Sequence, residues 1–136
     1  MIESWRWFGP QDPISLRDIR QTGARGIVTA LHDIPNGTFW PEEEIASRRR
    51  MIEAAGLEWV VTESIPVHED IKTGAPGWEK WAVNWAETVR ALARQGIRTI
   101  CYNFMPHASP DLRAPRSSAS ATPAASSSAS APSRVR

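Results

Sequence analysis

Gly26-Ile27-Val28-Thr29-Ala30-Leu31, followed at once by His32-Asp33, decides the fold. Six residues run without a charge and without alternation of polarity. A strand with one solvated face would alternate; a continuous apolar run of this length suits a parallel strand buried on both faces. Parallel neighbours need crossover helices, so the flanking sequence should alternate helix and strand.

It does so in both directions. Towards the C-terminus, His32 to Gly37 reads as a loop, and Asn36-Gly37-Thr38 as a turn. Pro41-Glu42-Glu43-Glu44 opens a helix, with Pro in the first turn and acids near the positive end of the dipole. Ile45, Ile52 and Ala55 give it a buried stripe, and Gly56 ends it. Leu57 to Ser64 is a third strand, broken at Pro66. A long loop through Gly74, Pro76 and Gly77 follows. Trp78, Trp81, Ala82, Trp85, Val89 and Leu92 then recur at helical spacing, an amphipathic face that Gly96 terminates. Ile97 to Phe104 is a fourth strand, stopped by Pro106. Towards the N-terminus, Trp5-Arg6-Trp7-Phe8 reads as a first strand ending at Gly9-Pro10. Ser15 and Asp18 have capping-box spacing for a short helix to about Gln21, with Gly23 placed to end it.

The order is βαβαβαβ, an α/β chain. Right-handed crossovers lay four parallel strands side by side with helices outside. No Gly-rich G-x-G-x-x-G turn follows the first strand, which argues against an open nucleotide-binding sheet. Polar residues gather just past strands two, three and four: His32-Asp33, Glu63-Ser64 with His68-Glu69-Asp70, and Tyr102-Asn103. In a closed (β/α)8 TIM barrel those positions form the catalytic face.

Composition sets the outer bounds. Of 136 residues, 41% are hydrophobic and 23% charged, which is globular. All seven Trp lie between Trp5 and Trp85. Residues 1–106 therefore read as the partial barrel domain. Residues 107–136 are mostly Ser, Ala and Pro and read as a disordered low-complexity tail. Four Arg against one acid (Asp111) give the tail +3, so with a net charge of +1 the first 106 residues carry −2. That balance gives no reason to expect a nucleic-acid or lipid partner. No apolar run approaches the roughly 20 residues of a membrane helix. The N-terminus lacks the pattern of a secretory signal, so the cytoplasm is the expected compartment. One cysteine, Cys101, excludes an internal disulfide framework and reads as a buried small hydrophobe. The sequence contains no G-x-x-x-x-G-K, H-E-x-x-H, C-x-x-C or G-x-S-x-G motif.

Four blocks, in order, carry a resemblance. They are Trp5 to Pro10 with Asp12-Pro13; Thr29-Ala30-Leu31-His32 running into Ile34-Pro35-Asn36-Gly37; Glu63-Ser64-Ile65-Pro66-Val67-His68-Glu69-Asp70-Ile71-Lys72; and Gly96 to Pro106. Together they resemble the mannonate dehydratase family over residues 1–106. The resemblance implies a xylose-isomerase-like (β/α)8 barrel, of which four strands are the N-terminal half. It implies a lyase of glucuronate catabolism that dehydrates D-mannonate to 2-dehydro-3-deoxy-D-gluconate. A proton leaves the carbon beside the carboxylate and hydroxide leaves the neighbouring carbon. A divalent metal, Mn2+ or Fe2+ in the family, would stabilise the developing charge, and a positioned base would take the proton. The family's His, Cys and Asp metal ligands come from later strands, so no metal ligand and no catalytic residue is assigned in this chain.

The expected site residues are substrate-binding ones. His32 would hydrogen-bond a sugar hydroxyl, or else cap its loop. Glu63 would orient a hydroxyl or a basic group, or else be a buried acid paired with Arg or Lys. His68, on the long loop, would touch substrate or act as a lid. Three neighbours such as His68-Glu69-Asp70 cannot all reach one ion. Asn103 and Tyr102 alternate along strand four, and Asn103 is expected to face inward. Trp7 would wall the pocket or pack in the core, and the Trp78/Trp81/Trp85 stripe would pack helix on barrel. Three readings of the molecule as a whole stay open: a mannonate dehydratase with possible homo-oligomerisation, a non-catalytic fragment of an interrupted or frameshifted gene, and a self-associating half-barrel.

Overall fold

The computed structural model describes residues 1–105; the expected disordered tail lies outside them. Eight elements follow in order: β1 (Ser4–Arg6), α1 (Leu16–Gln21), β2 (Gly26–Thr29), α2 (Glu42–Ala54), β3 (Glu58–Glu63), α3 (Glu69–Thr73), α4 (Trp78–Arg94) and β4 (Thr99–Cys101). The strands form one sheet in the order β1-β2-β3-β4, every pair parallel. This sequential order without a switch is what one half of a closed barrel requires.

Local chemistry explains the elements. Ser15 caps α1: its hydroxyl accepts from the Asp18 N–H at 3.2 Å, and the Asp18 carboxylate accepts from the Ser15 N–H at 3.1 Å. Pro41 stands at the N-cap of α2, one place before the helix, with Glu42, Glu43 and Glu44 in the first turn. α2 buries Ile45, Arg48 and Ile52. The long loop after Pro66 is not structureless. It contains α3, capped by His68 and ended at Gly74 in the left-handed region (φ 65°).

Two strands are shorter than the apolar runs suggest. β4 starts at Thr99 because the Ile97 N–H donates to the Leu92 carbonyl, closing the end of α4 instead of extending the sheet. β1 ends at Arg6, although the Trp7 N–H still donates to the Val28 carbonyl at 3.0 Å. β2 and β3 shift register between Ile27 and Val28.

The core lies between the sheet and α1, α2 and the C-terminal half of α4. Ile19, Ile27, Trp40, Ile45, Ile52 and Leu92 are fully or almost fully buried in it. The Trp stripe of α4 divides. Thr88, Ala91 and Leu92 pack on the core, Trp85 packs against it while meeting Tyr102 edge-on, whereas Trp78 is exposed and Trp81 stacks on His68. Helix-to-barrel packing therefore describes Trp85 and the second half of that helix, not Trp78 and Trp81. The buried Thr88 hydroxyl accepts from the Trp40 N–H at 3.1 Å and donates to the Asn84 carbonyl at 2.9 Å, tying the β2–α2 connection to α4.

Candidate active-site rim

Strand alternation divides the side chains. Trp7, Thr29 and Thr62 are buried towards the helices. Arg6, Val28, Val61 and Thr99 occupy one register row, and Glu63 pairs with Cys101 two residues further on, on the same face. Arg6 and Glu63 meet at the C-terminal ends of β1 and β3. The Arg6 guanidinium donates to the Glu63 carboxylate at 2.7 Å, bridging over β2. Both remain partly open to solvent, so the pair is accessible rather than sealed in the core. Glu63 is thus an acid paired with Arg, one of the two roles its sequence position offered, but it is not deeply buried.

The Arg6 guanidinium also lies over the Phe8 ring, 4.9 Å from its centroid, and the far side of this group is His32, whose ring centroid is 5.6 Å from that of Phe8. Burial holds the His32 imidazole below its usual range. The charges of Arg48 and Arg6 push the same way, while Asp33 and a hydrogen bond with the Phe8 backbone oppose them. A neutral imidazole can both donate and accept, as contact with a hydroxyl needs. Arg6, Glu63 and His32 thus put a cation, a carboxylate and a neutral imidazole on adjacent strand exits.

Trp7 is 3% exposed, packs in the core on the helix side of the sheet and carries the Arg48 guanidinium 5.5 Å from its ring centroid. His68 belongs to a second cluster. Its Nδ1 accepts from the Asp70 N–H at 3.2 Å, and its ring stacks on Trp81 at 4.2 Å and 20°. The Trp81 Nε1 donates to the Asp70 carboxylate at 2.9 Å. With Nδ1 accepting, a neutral His68 carries its proton on Nε2. Gly37 lies against this stack in the left-handed region (φ 81°), and Asn84 donates to its carbonyl at 2.9 Å. Asn103 is exposed and lies two residues past the end of β4, so alternation along the strand does not govern it. Tyr102 and Phe104 instead line an apolar groove with Val67, Ile71, Ala82 and Trp85. Cys101 is exposed rather than buried, because it shares the Glu63 face, away from the helices.

Among the described residues no three His, Cys, Asp or Glu side chains come together as a metal would require. No described helix is long and apolar enough to cross a membrane. Two residues of the rim escaped sequence reading. Arg6 was visible only as an alternating strand position, and Arg48 sits in the run Arg48-Arg49-Arg50, where nothing marks one arginine as buried.

Fold and rim define a class: a parallel α/β segment of barrel type with polar groups at the carboxyl ends of its strands. Comparison with known proteins makes this specific. The family model for D-mannonate dehydratase (UxuA) matches residues 1–115, and the chain belongs to that family of hydro-lyases. It is 61% identical over 106 residues to a mannonate dehydratase of Chromohalobacter salexigens and 58% identical over 106 residues to mannonate dehydratase 2 of Agrobacterium fabrum. Each alignment covers 78% of this chain and 27% of the relative, so the chain spans about a quarter of the length of these relatives. The crystal structure of mannonate dehydratase from Streptococcus suis serotype 2 superposes with a TM-score of 0.76 at 48% identity, covering 78% of this chain and 31% of that one.

Proposed function

We propose that residues 1–106 form the substrate-binding part of a mannonate dehydratase barrel, and that residues 107–136 are a separate tail. The observation that supports this is the Arg6–Glu63 bridge beside His32, on the open face at the strand ends. Arg6 supplies donors and positive charge for the carboxylate of D-mannonate, where negative charge grows as the neighbouring carbon loses its proton. Glu63 accepts from a substrate hydroxyl, and neutral His32 donates to or accepts from another. His68, through its Nε2 proton, and Asn103 would add further contacts to substrate. A divalent cation, Mn2+ or Fe2+, is the proposed Lewis acid of the assembled enzyme, with its ligands outside the described residues. The cytoplasm is the proposed site of action, in the breakdown of glucuronate.

The test is calorimetric titration of the purified 136-residue chain with D-mannonate, against the uncharged mannitol, and an assay for 2-keto product with Mn2+ present. Saturable binding of D-mannonate over mannitol, weakened at least tenfold in R6A and in H32A, is expected, without turnover. A folded chain that does not distinguish the two ligands would overturn the rim assignment. Metal-dependent turnover by the chain alone would overturn the restriction of its role to binding.

A further inference from the structure

Arg48 is the one charged side chain of α2 that points into the core, with 8% of it exposed. A buried guanidinium is costly unless its donors are used and its position matters. Its contacts reach two separate turns. From the β2–α2 connection, the Ala30 carbonyl accepts from Nη1 at 3.1 Å, and the Asp33 carboxylate lies 3.8 Å from Nη2. From the β1–α1 connection, the Trp7 ring lies beneath the guanidinium, and a Cβ built on Gly9 would stand 3.0 Å from Nη1. The backbone of Gly9, at φ 105°, therefore runs close to the arginine, in a conformation that an L side chain rarely adopts and with a contact that a Cβ would tighten.

These contacts bracket the rim. Phe8 lies between Trp7 and Gly9, and His32 lies between Ala30 and Asp33. Phe8 and His32 are the two rings that face each other at 5.6 Å. Phe8 therefore lies between two residues packed against the guanidinium, and His32 between a carbonyl bonded to it, two residues before, and an exposed carboxylate 3.8 Å from it. We infer that Arg48 is a positioning residue that locks the β1–α1 turn to the β2–α2 turn and so fixes His32 against Phe8 in a substrate-facing orientation. Only the orientation towards substrate rests on the proposed function; the lock itself stands on the geometry. Lysine cannot replace it fully, because a single ammonium lacks the planar fork that bonds to a carbonyl while lying on an indole face.

The charged and polar groups facing His32 are Arg48 from α2, Arg6 from β1, Asp33 from its own loop and the Phe8 backbone. Removing Arg48 leaves Arg6 and Asp33 to act on the imidazole in opposite directions, and admits water. The test uses the full chain as wild type, Arg48→Lys and Arg48→Met. Folding is read by circular dichroism, the Phe8–His32 ring contact by nuclear Overhauser effects, and the His32 midpoint by NMR titration, its signal assigned by its loss in His32→Gln. In folded Arg48→Met, loss of the ring contact and an upward shift of the His32 midpoint are expected. In Arg48→Lys, loss of the ring contact with a smaller shift is expected, because the charge is kept and the fork is not. Binding of D-mannonate should fall at least tenfold in both. If wild type fails to bind D-mannonate, the proposed function fails, while the ring contact and the midpoint still decide the lock. An unchanged contact and midpoint in either folded variant would overturn the inference. So would unfolding of both variants, which would make Arg48 a folding residue only.

Discussion

Replacing Thr88 by Val should destabilise the chain by about 2 kcal/mol, although the two side chains have nearly the same shape. The Thr88 Oγ1 accepts from the Trp40 N–H at 3.1 Å, and both residues are buried. Valine leaves no cavity, so the usual cost of core truncation is absent. It does leave the buried Trp40 N–H without its acceptor, which costs about 1–3 kcal/mol. The bond that Thr88 donates to the Asn84 carbonyl adds little, because that carbonyl keeps its helical partner. Thr88→Ser is the control: it keeps the oxygen and removes one methyl, costing about 0.8 kcal/mol. Urea unfolding followed by tryptophan fluorescence measures both. With a slope of about 1.5 kcal/mol per M, Thr88→Val should lower the midpoint by more than about 1 M and Thr88→Ser by about half that. A valine variant as stable as the serine variant would refute the reasoning and mean that water or a shifted backbone satisfies Trp40.

Other outcomes follow from the same contacts. Ser15→Ala removes the cap of α1 and should cost about 1 kcal/mol, seen as a lower thermal midpoint. Gly37→Ala should cost at least about 1 kcal/mol, because its backbone is left-handed and the new Cβ would lie 2.8 Å from both the His68 and the Trp81 rings; the Trp81 environment should change in near-UV circular dichroism. His32 has a folded-state pKa below 6.5, so the unfolded chain takes up its proton more readily. Its contribution to stability is therefore present above 6.5 and is lost as pH falls through the unfolded and then the folded value. His32→Gln should flatten that part of the pH profile of urea midpoints, and an unchanged slope would count against the shift.

The order of elements was legible in the sequence. Alternation before Gly9-Pro10 marked the first strand, apolar runs bounded by Gly and Pro marked the other three, and capping chemistry placed the start of α1 correctly at Ser15. The positions of His32 and Glu63 at strand exits were also legible, because alternation and strand ends are local properties. The short helix α3 was not, because Gly74, Pro76 and Gly77 masked five helical residues held by one histidine cap. Nor was the division of the Trp stripe on α4, because Trp81 is taken up by His68 and Asp70 of α3 and its cap, while Trp85 packs on the core.

By itself the sequence determined the α/β class, the parallel order of the strands and the family resemblance, since all three rest on patterns along the chain. Only the tertiary structure decided which groups meet. It turned Trp7 to the helices, exposed Cys101, paired Arg6 with Glu63 across an intervening strand and chose Arg48 from three adjacent arginines for burial. Periodicity records which face of an element is apolar. It does not record which residue, 57 positions away in the case of Arg6 and Glu63, will stand opposite.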